Sequence, residues 1–182
     1  KKRPENSTWG DFGADDQLGR ANLLTPEKVL QGVAEVKEGI AFCLSIPLGL
    51  PGSNKLTPVR YPPTLEPTLT PDGKIRFNYP RQLDDPQHTD VVCDDKVSLY
   101  CQYSTQWDSL AHVGSMFDAD DDGSPEIRFY NGWQGGVDVV GPVEYDADGN
   151  AHDVGPHLGA QRLGVDKMAE KGMQGRGVML DL

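Results

Sequence analysis

"TPEKVLQGVAEVKEGIAFCLSI", residues 25–46, joins a helical pattern to a strand pattern. Thr25-Pro26-Glu27 supplies an N-cap residue, a proline at the first helical position and an early acid. Val29, Leu30, Val33 and Val36 follow at helical spacing, and Gly39 ends the run. Residues 40–46 then read as a buried strand. A helix handed directly to a strand points to an α/β fold.

The downstream pattern is richer in strands. Seven prolines between positions 47 and 71 exclude regular helix and central strand, and predict a long surface excursion of the kind that covers sites. "TPDGK" (70–74) reads as a turn into a short strand over 75–79. Residues 91–93, 97–107, 127–130 and 137–145 are strand-like, and "DADG" (146–149) is a hairpin turn. A short helix over 166–171 ends at Gly172. The sequence closes on "GRGVMLDL" (175–182), whose residues 178–182 read as an apolar strand. Such a strand should pair with residues beyond this sequence or from another chain. There are no internal repeats, so the expectation is one domain over 1–182, C-terminally incomplete.

Composition narrows the partners. Among 182 residues, 28 acidic against 17 basic side chains give a net charge of −11. That argues against nucleic acid, whose binding requires phosphate neutralisation, and against anionic membrane surfaces. No apolar run approaches the roughly 18–20 residues of a membrane span. Cys43, Cys93 and Cys101 are odd in number and lack CxxC spacing. They read as reduced, half-buried thiols, which favours a cytoplasmic location.

Three constellations could carry chemistry. "DADDDG" (118–123) begins like a calcium loop, but Phe129 occupies the twelfth position, where a bidentate Glu is needed; a solvated acidic turn is the plainer account. His88, His152 and His157 are scattered, and of these His157 has the better chance of lying near a site. The third is "QYSTQWDSLAH" (102–112). In strand alternation Gln102, Ser104, Gln106 and Asp108 share one face, opposite Trp107, although the flanks are apolar. A carboxylate and an imidazole four apart, Asp108 and His112, can hold a metal or act as a base and its orienting group. By spacing alone the ordinary roles are favoured: a turn cap for Asp108 and a core place for His112.

The wider sequence resembles a family. "STWGDFGADDQLGRANLLTPEKVLQGVAEVKEG" (7–39), "STQWDSLAHVG" (104–114), "FYNGW" (129–133) and "LGAQRLGVDKMAEKGMQGRGVMLDL" (158–182) are similar, in this order, to blocks of the metal-dependent cyclase family, which includes kynurenine formamidases and isatin hydrolase. The family signature is H-x-G-T-H-x-D-x-x-x-H. Here Thr105, Asp108 and His112 match, whereas Gln102 and Gln106 stand at the His positions and Ser104 at the Gly. An amide oxygen is a weaker ligand than imidazole for Zn or Mn.

The resemblance implies a swivelling β/β/α fold with a mixed sheet and barrel-like strands, assembled as a homo-oligomer. It implies Zn or Mn held by Asp108, Gln102 and Gln106, and hydrolysis of a small amide, cyclic amide or lactone by metal-activated water. His112 would move the proton, with Asp108 beside it. Trp107 is expected in the core, and Tyr130 and Trp133 as a wall for the small-molecule substrate. The glutamines also admit a catalytically silent protein that binds a small ligand or only assembles.

Overall fold

The computed structural model describes residues 2–146 and 148–180. They fall into two compact units, one of residues 42–106 and the other of residues up to 41 together with those from 107 onward.

The 42–106 unit opens with the proline-rich excursion, which carries no helix or strand before residue 64. Four short strands follow: β1 (Thr64–Pro67), β2 (Tyr79–Pro80), β3 (Val91–Val92) and β4 (Asp95–Ser98). β1 pairs antiparallel with β4, placing Glu66 opposite Lys96 in a 2.9 Å ion pair. Both partners are exposed, so this pair sets register more than it stabilises. β2 pairs antiparallel with β3. "TPDGK" is a turn, as its residues require. Gly73 takes φ +85°, and the Thr70 hydroxyl accepts the Lys74 amide at 2.8 Å. The strand expected over 75–79 is reduced to a single bridge, Leu69 to Ile75, and pairing resumes only at Tyr79. Tyr79 is buried; its hydroxyl donates to Asp84 at 2.7 Å, and the Arg76 guanidinium lies 5.7 Å from its ring centre.

The other unit holds both helices, α1 (Pro26–Val33) and α2 (Val165–Lys171), and six strands: β5 (Ser115–Phe117), β6 (Glu126–Arg128), β7 (Val139–Val140), β8 (Val143–Tyr145), β9 (Ala151–Asp153) and β10 (Gly159–Ala160). β5 pairs with β6, β7 with β10 and β8 with β9, all antiparallel. The 137–145 strand is split because Gly141-Pro142 interrupts it, and proline has no amide to donate to a ladder. The hairpin turn after β8 is present, anchored by the Asp146 carboxylate, which accepts the amides of Asp148 and Asn150 at 3.0 and 2.9 Å; Ala147 lies outside the described residues. α2 stops at Gly172, whose φ of +73° lets its amide turn back to the Met168 carbonyl at 2.9 Å. Leu163, 1% exposed, and Ala119 are buried here, with Arg128 held by Glu126, Gln134 and the Gly132 carbonyl.

Several expectations are corrected. α1 ends at Val33 and not near Gly39; Val36 stays exposed, so little burial would reward another turn. Residues 40–46 form no strand. Ile40, Phe42, Leu44 and Ile46 alternate as a strand would, but among the described residues no neighbour pairs with them, and all four are exposed. Residues 178–180 are likewise exposed and outside any strand, while 181 and 182 lie outside the described residues. The architecture is mixed helix and strand, but the described strands join only two by two, so no barrel closes. The cysteines are free and exposed, not half-buried. No helix among the described residues is long and apolar enough to cross a membrane.

Candidate functional site

The signature segment is a succession of turns. The Tyr103 amide donates to the Tyr100 carbonyl at 3.0 Å, which closes a turn and ends the alternation that would have put Gln102, Ser104, Gln106 and Asp108 on one strand face. Trp107, expected in the core, is 68% exposed. The division between the two units falls between Gln106 and Trp107. Gln102, Ser104, Thr105 and Gln106 therefore belong to one unit, and Asp108 and His112 to the other.

In the 42–106 unit, the Gln102 turn is tied to the proline-rich excursion. Arg60 Nη1 donates to the Gln102 carbonyl at 2.9 Å, and the Tyr103 hydroxyl donates to the Ser53 carbonyl at 3.2 Å. Between these two tethers lies a cavity of about 540 Å³, walled by Ile46, Leu50 and Leu56 on one side and by Gln102, Ser104 and Thr105 on the other. The Ser104 hydroxyl oxygen is buried and has no hydrogen-bond partner.

In the other unit, the His112 amide donates to the Ser109 carbonyl at 3.1 Å, and this turn folds the imidazole back onto the carboxylate four residues earlier. His112 Nδ1 lies 2.5 Å from Asp108 Oδ2. His112 is therefore not a core histidine, since its side chain is 26% and that of Asp108 45% exposed. The carboxylate fixes the ring and favours the proton on Nδ1, which makes Nε2 the basic nitrogen of the neutral ring.

The donors at this segment do not make up the His and Cys set typical of zinc. Zinc takes four ligands, most often His and Cys nitrogen or sulfur. Among the described residues, Asp108 and His112 join no third His, Cys, Asp or Glu, and the two remaining signature positions are neutral amides. One acidic group does cluster elsewhere: ligand oxygens of Asp118, Asp120, Asp122 and Glu126 lie within 4.8 Å of one another. Their main visible work is to hold their own turn. Asp118 accepts the amides of Asp122 and Gly123 at 3.1 and 3.0 Å.

Tyr130 and Trp133 grip the N-terminal loop. The Tyr130 hydroxyl donates to Asp16 Oδ2 at 2.8 Å, and Trp133 Nε1 donates to the Asp16 carbonyl at 3.2 Å. Asn131 donates to the carbonyls of Gly13, Ala14 and Asp16 and accepts from the Gly10 amide. Arg162 covers the Trp133 ring at 5.1 Å. Burial, then the bond to Asp16, pushes the Tyr130 hydroxyl up to about 12. Burial would also raise Asp16, but bonds from Asn22, Tyr130 and the amides of Gly19 and Leu18 together hold it below the usual carboxylate range. Asp16 was not singled out in the sequence. The usable signal was Asn131-Gly132, a pair of left-handed residues at φ 59° and 82° that turns "FYNGW" back on itself. Of the histidines, His152 pairs with Asp146 at 2.8 Å, His88 has a buried Nδ1 without a partner, and His157 is exposed.

No protein-family model matches the chain, and no curated protein matches it. Among solved structures, the crystal structure of a novel cyclase is similar at 29% identity with a TM-score of 0.49, over 70% of this chain and 37% of that one. The chain thus spans little more than a third of that cyclase.

Proposed function

We propose that this is a cyclase-family hydrolase acting on an amide, cyclic amide or lactone of a small molecule, through Asp108 and His112. What carries the proposal is the pairing of those two side chains within the segment that resembles the family signature. With Nδ1–H directed at Asp108, His112 Nε2 takes a proton from water as the water oxygen bonds to the substrate carbonyl carbon. Asp108 stabilises the imidazolium that results. His112 then gives the proton to the departing nitrogen or oxygen as the carbon–heteroatom bond breaks, leaving a carboxylic acid that ionises in water. Tyr130 and Trp133 enter this proposal as a substrate wall, held in place by their bonds to Asp16. A homo-oligomer in the cytoplasm accords with the exposed apolar side chains and the three free thiols.

The glutamines at positions 102 and 106 favour a second reading, a silent protein that only binds a small ligand. Turnover by the purified chain on formanilide, isatin and a γ-lactone separates the two. Hydrolysis above the buffer rate of any of them supports the enzyme. Buffer-rate hydrolysis of all three, with and without added Zn or Mn, leaves the silent protein.

A further inference from the structure

We propose that Asn131-Gly132 is a modification site whose spontaneous deamidation works as a one-way latch on the N-terminal loop. Deamidation proceeds when residues 10–16 let go of Asn131, and the aspartate it leaves keeps them from closing again. The proposal stands apart from the hydrolase reading, since it concerns a bond of the chain itself.

Asn131 is the one asparagine in the sequence that a glycine follows. Glycine has no Cβ, so its amide nitrogen can approach the side chain of the residue before it. In the reaction the Gly132 nitrogen gives up its proton to water or hydroxide and bonds to Asn131 Cγ. The side-chain nitrogen takes a proton from solvent and leaves as ammonia, which closes a cyclic imide. Water then adds to one of the two imide carbonyls and opens the ring. Position 131 becomes aspartate or isoaspartate, and in either case gains a negative charge.

The folded geometry blocks the first step. Gly132 is buried, and its amide donates to the Phe129 carbonyl at 3.0 Å. Asn131 Nδ2 donates to the carbonyls of Gly13, Ala14 and Asp16 at 3.0, 2.9 and 3.2 Å, and its Oδ1 accepts the Gly10 amide at 2.7 Å. Both reacting groups are committed, so attack waits for local opening. Opening is within reach, because Gly10, Asp11, Gly13, Ala14 and Asp15 are exposed and residues 10–16 contain no helix or strand.

The same bonds prevent the product from closing. A carboxylate has no hydrogen to donate, so three carbonyls that accepted from Asn131 would face acceptor oxygens, and only the Gly10 amide would keep its partner. Asp11, Asp15 and Asp16 belong to the same loop and repel the new charge. Backbone strain is not the cause. At φ 59° and ψ 15° position 131 lies in the left-handed region, which aspartate tolerates as asparagine does. Asn131→Asp is therefore a fair mimic of the aspartate product.

The test incubates the full chain at mildly alkaline pH, with and without urea, and locates deamidation by peptide mapping. In urea Asn131 should react fastest of the six asparagines, and in the folded chain its rate should fall by about tenfold or more. Tyr130→Phe removes the neighbouring bond to Asp16 and should speed the folded reaction by about threefold or more, with the rate in urea unchanged. Asn131→Asp should raise cleavage by endoproteinase Asp-N at positions 11, 15 and 16 by about tenfold or more. Equal rates with and without urea overturn the proposal, as does a folded rate that Tyr130→Phe leaves unchanged. So does an Asn131→Asp chain of native circular dichroism that is cut no faster than the wild type. Should Asn131→Asp fail to fold, wild type deamidated in place decides. Cleavage confined to the N-terminal loop supports the latch, and cleavage throughout the chain, or none beyond the fresh protein, overturns it.

Discussion

The Tyr130 hydroxyl donates to the Asp16 carboxylate at 2.8 Å across 114 positions of sequence. This bond, with those of Asn131 and Trp133, fastens the N-terminal loop to the 3₁₀ turn that follows β6. Both partners are perturbed, and the two shifts have opposite sign. Tyr130 is raised to about 12, so its neutral form is favoured in the folded state. That stability is complete below the ordinary tyrosine value near 10 and is lost as pH climbs through about 12. Asp16 is lowered, so its contribution is complete above the ordinary carboxylate value and is lost as pH falls through the folded one.

Tyr130→Phe should therefore cost about 1–2 kcal/mol at neutral pH and flatten the alkaline fall in melting temperature. Tyr130 is only half-buried, so solvent screening keeps the gain below what the shift alone implies. Asp16→Asn should cost a similar amount and flatten the acid limb. Melting curves from pH 3 to 12 for the wild type and both variants decide the matter. Curves that run parallel at every pH would show that the bond does not stabilise the fold.

The acidic turn after β5 separates a structural carboxylate from a solvated one. Asp118 accepts two backbone amides, whereas Asp120 accepts one, from Asp122, at a longer 3.3 Å. Asp118→Ala should lower urea stability by about 1 kcal/mol, because the Gly123 amide loses its acceptor and the Asp122 amide keeps only its longer bond to Asp120. Asp120→Asn should change it by no more than a few tenths, since an amide oxygen still accepts and one negative charge leaves a crowded group. Equal effects in urea titrations would mean that Asp118 does not anchor the turn.

In α1, Gly32 sets propensity against packing. Alanine there would improve helix propensity by about 1 kcal/mol. A Cβ at that position, however, would lie 2.7 Å from the backbone carbon of Gly175 and 2.8 Å from its oxygen, and backbone cannot step aside as a side chain can. The clash should win, with Gly32→Ala destabilising by about 1–2 kcal/mol. Gln31→Ala, on an exposed position of the same helix, should be neutral or slightly stabilising. Chemical denaturation of both variants provides the comparison, and a stabilised Gly32→Ala would show that the segment around Gly175 yields.

What was legible in the sequence was local chemistry. Pro26 opens α1, Gly172 closes α2, "TPDGK" turns, and the residues around 146–149 turn a hairpin, because each depends on a φ preference or a side chain within a few positions. Strands were less legible because a strand needs a neighbour. The alternation from Ile40 to Ile46 is as regular as any in the chain, yet no partner lies beside it among the described residues. The signature failed for a different reason: strict alternation was extended from Val97 to Trp107, past the point where the Tyr103–Tyr100 hydrogen bond turns the chain. Asp108 and His112, by contrast, were legible as a pair, since a turn brings residues four apart into contact as readily as a helix does. The grip of Tyr130 on Asp16 was not, because nothing local encodes a contact over that separation.

The Asp108–His112 pair is partly exposed, so its removal should be felt in rate before it is felt in stability. His112→Ala should lower turnover by about 10²–10⁴-fold, the usual worth of a positioned proton-transfer group. Its melting temperature should move by no more than about 1 kcal/mol would produce, because an exposed ion pair contributes little to folding. Asp108→Asn keeps the shape but removes the charge that orients the ring, so an equal or smaller rate loss should follow. Turnover against pH, with melting temperature, is measured for the wild type and both variants on whichever amide or lactone is hydrolysed. If both variants instead lose melting temperature heavily while turnover per folded molecule is unchanged, the pair serves to close the 108–112 turn and the hydrolytic assignment fails.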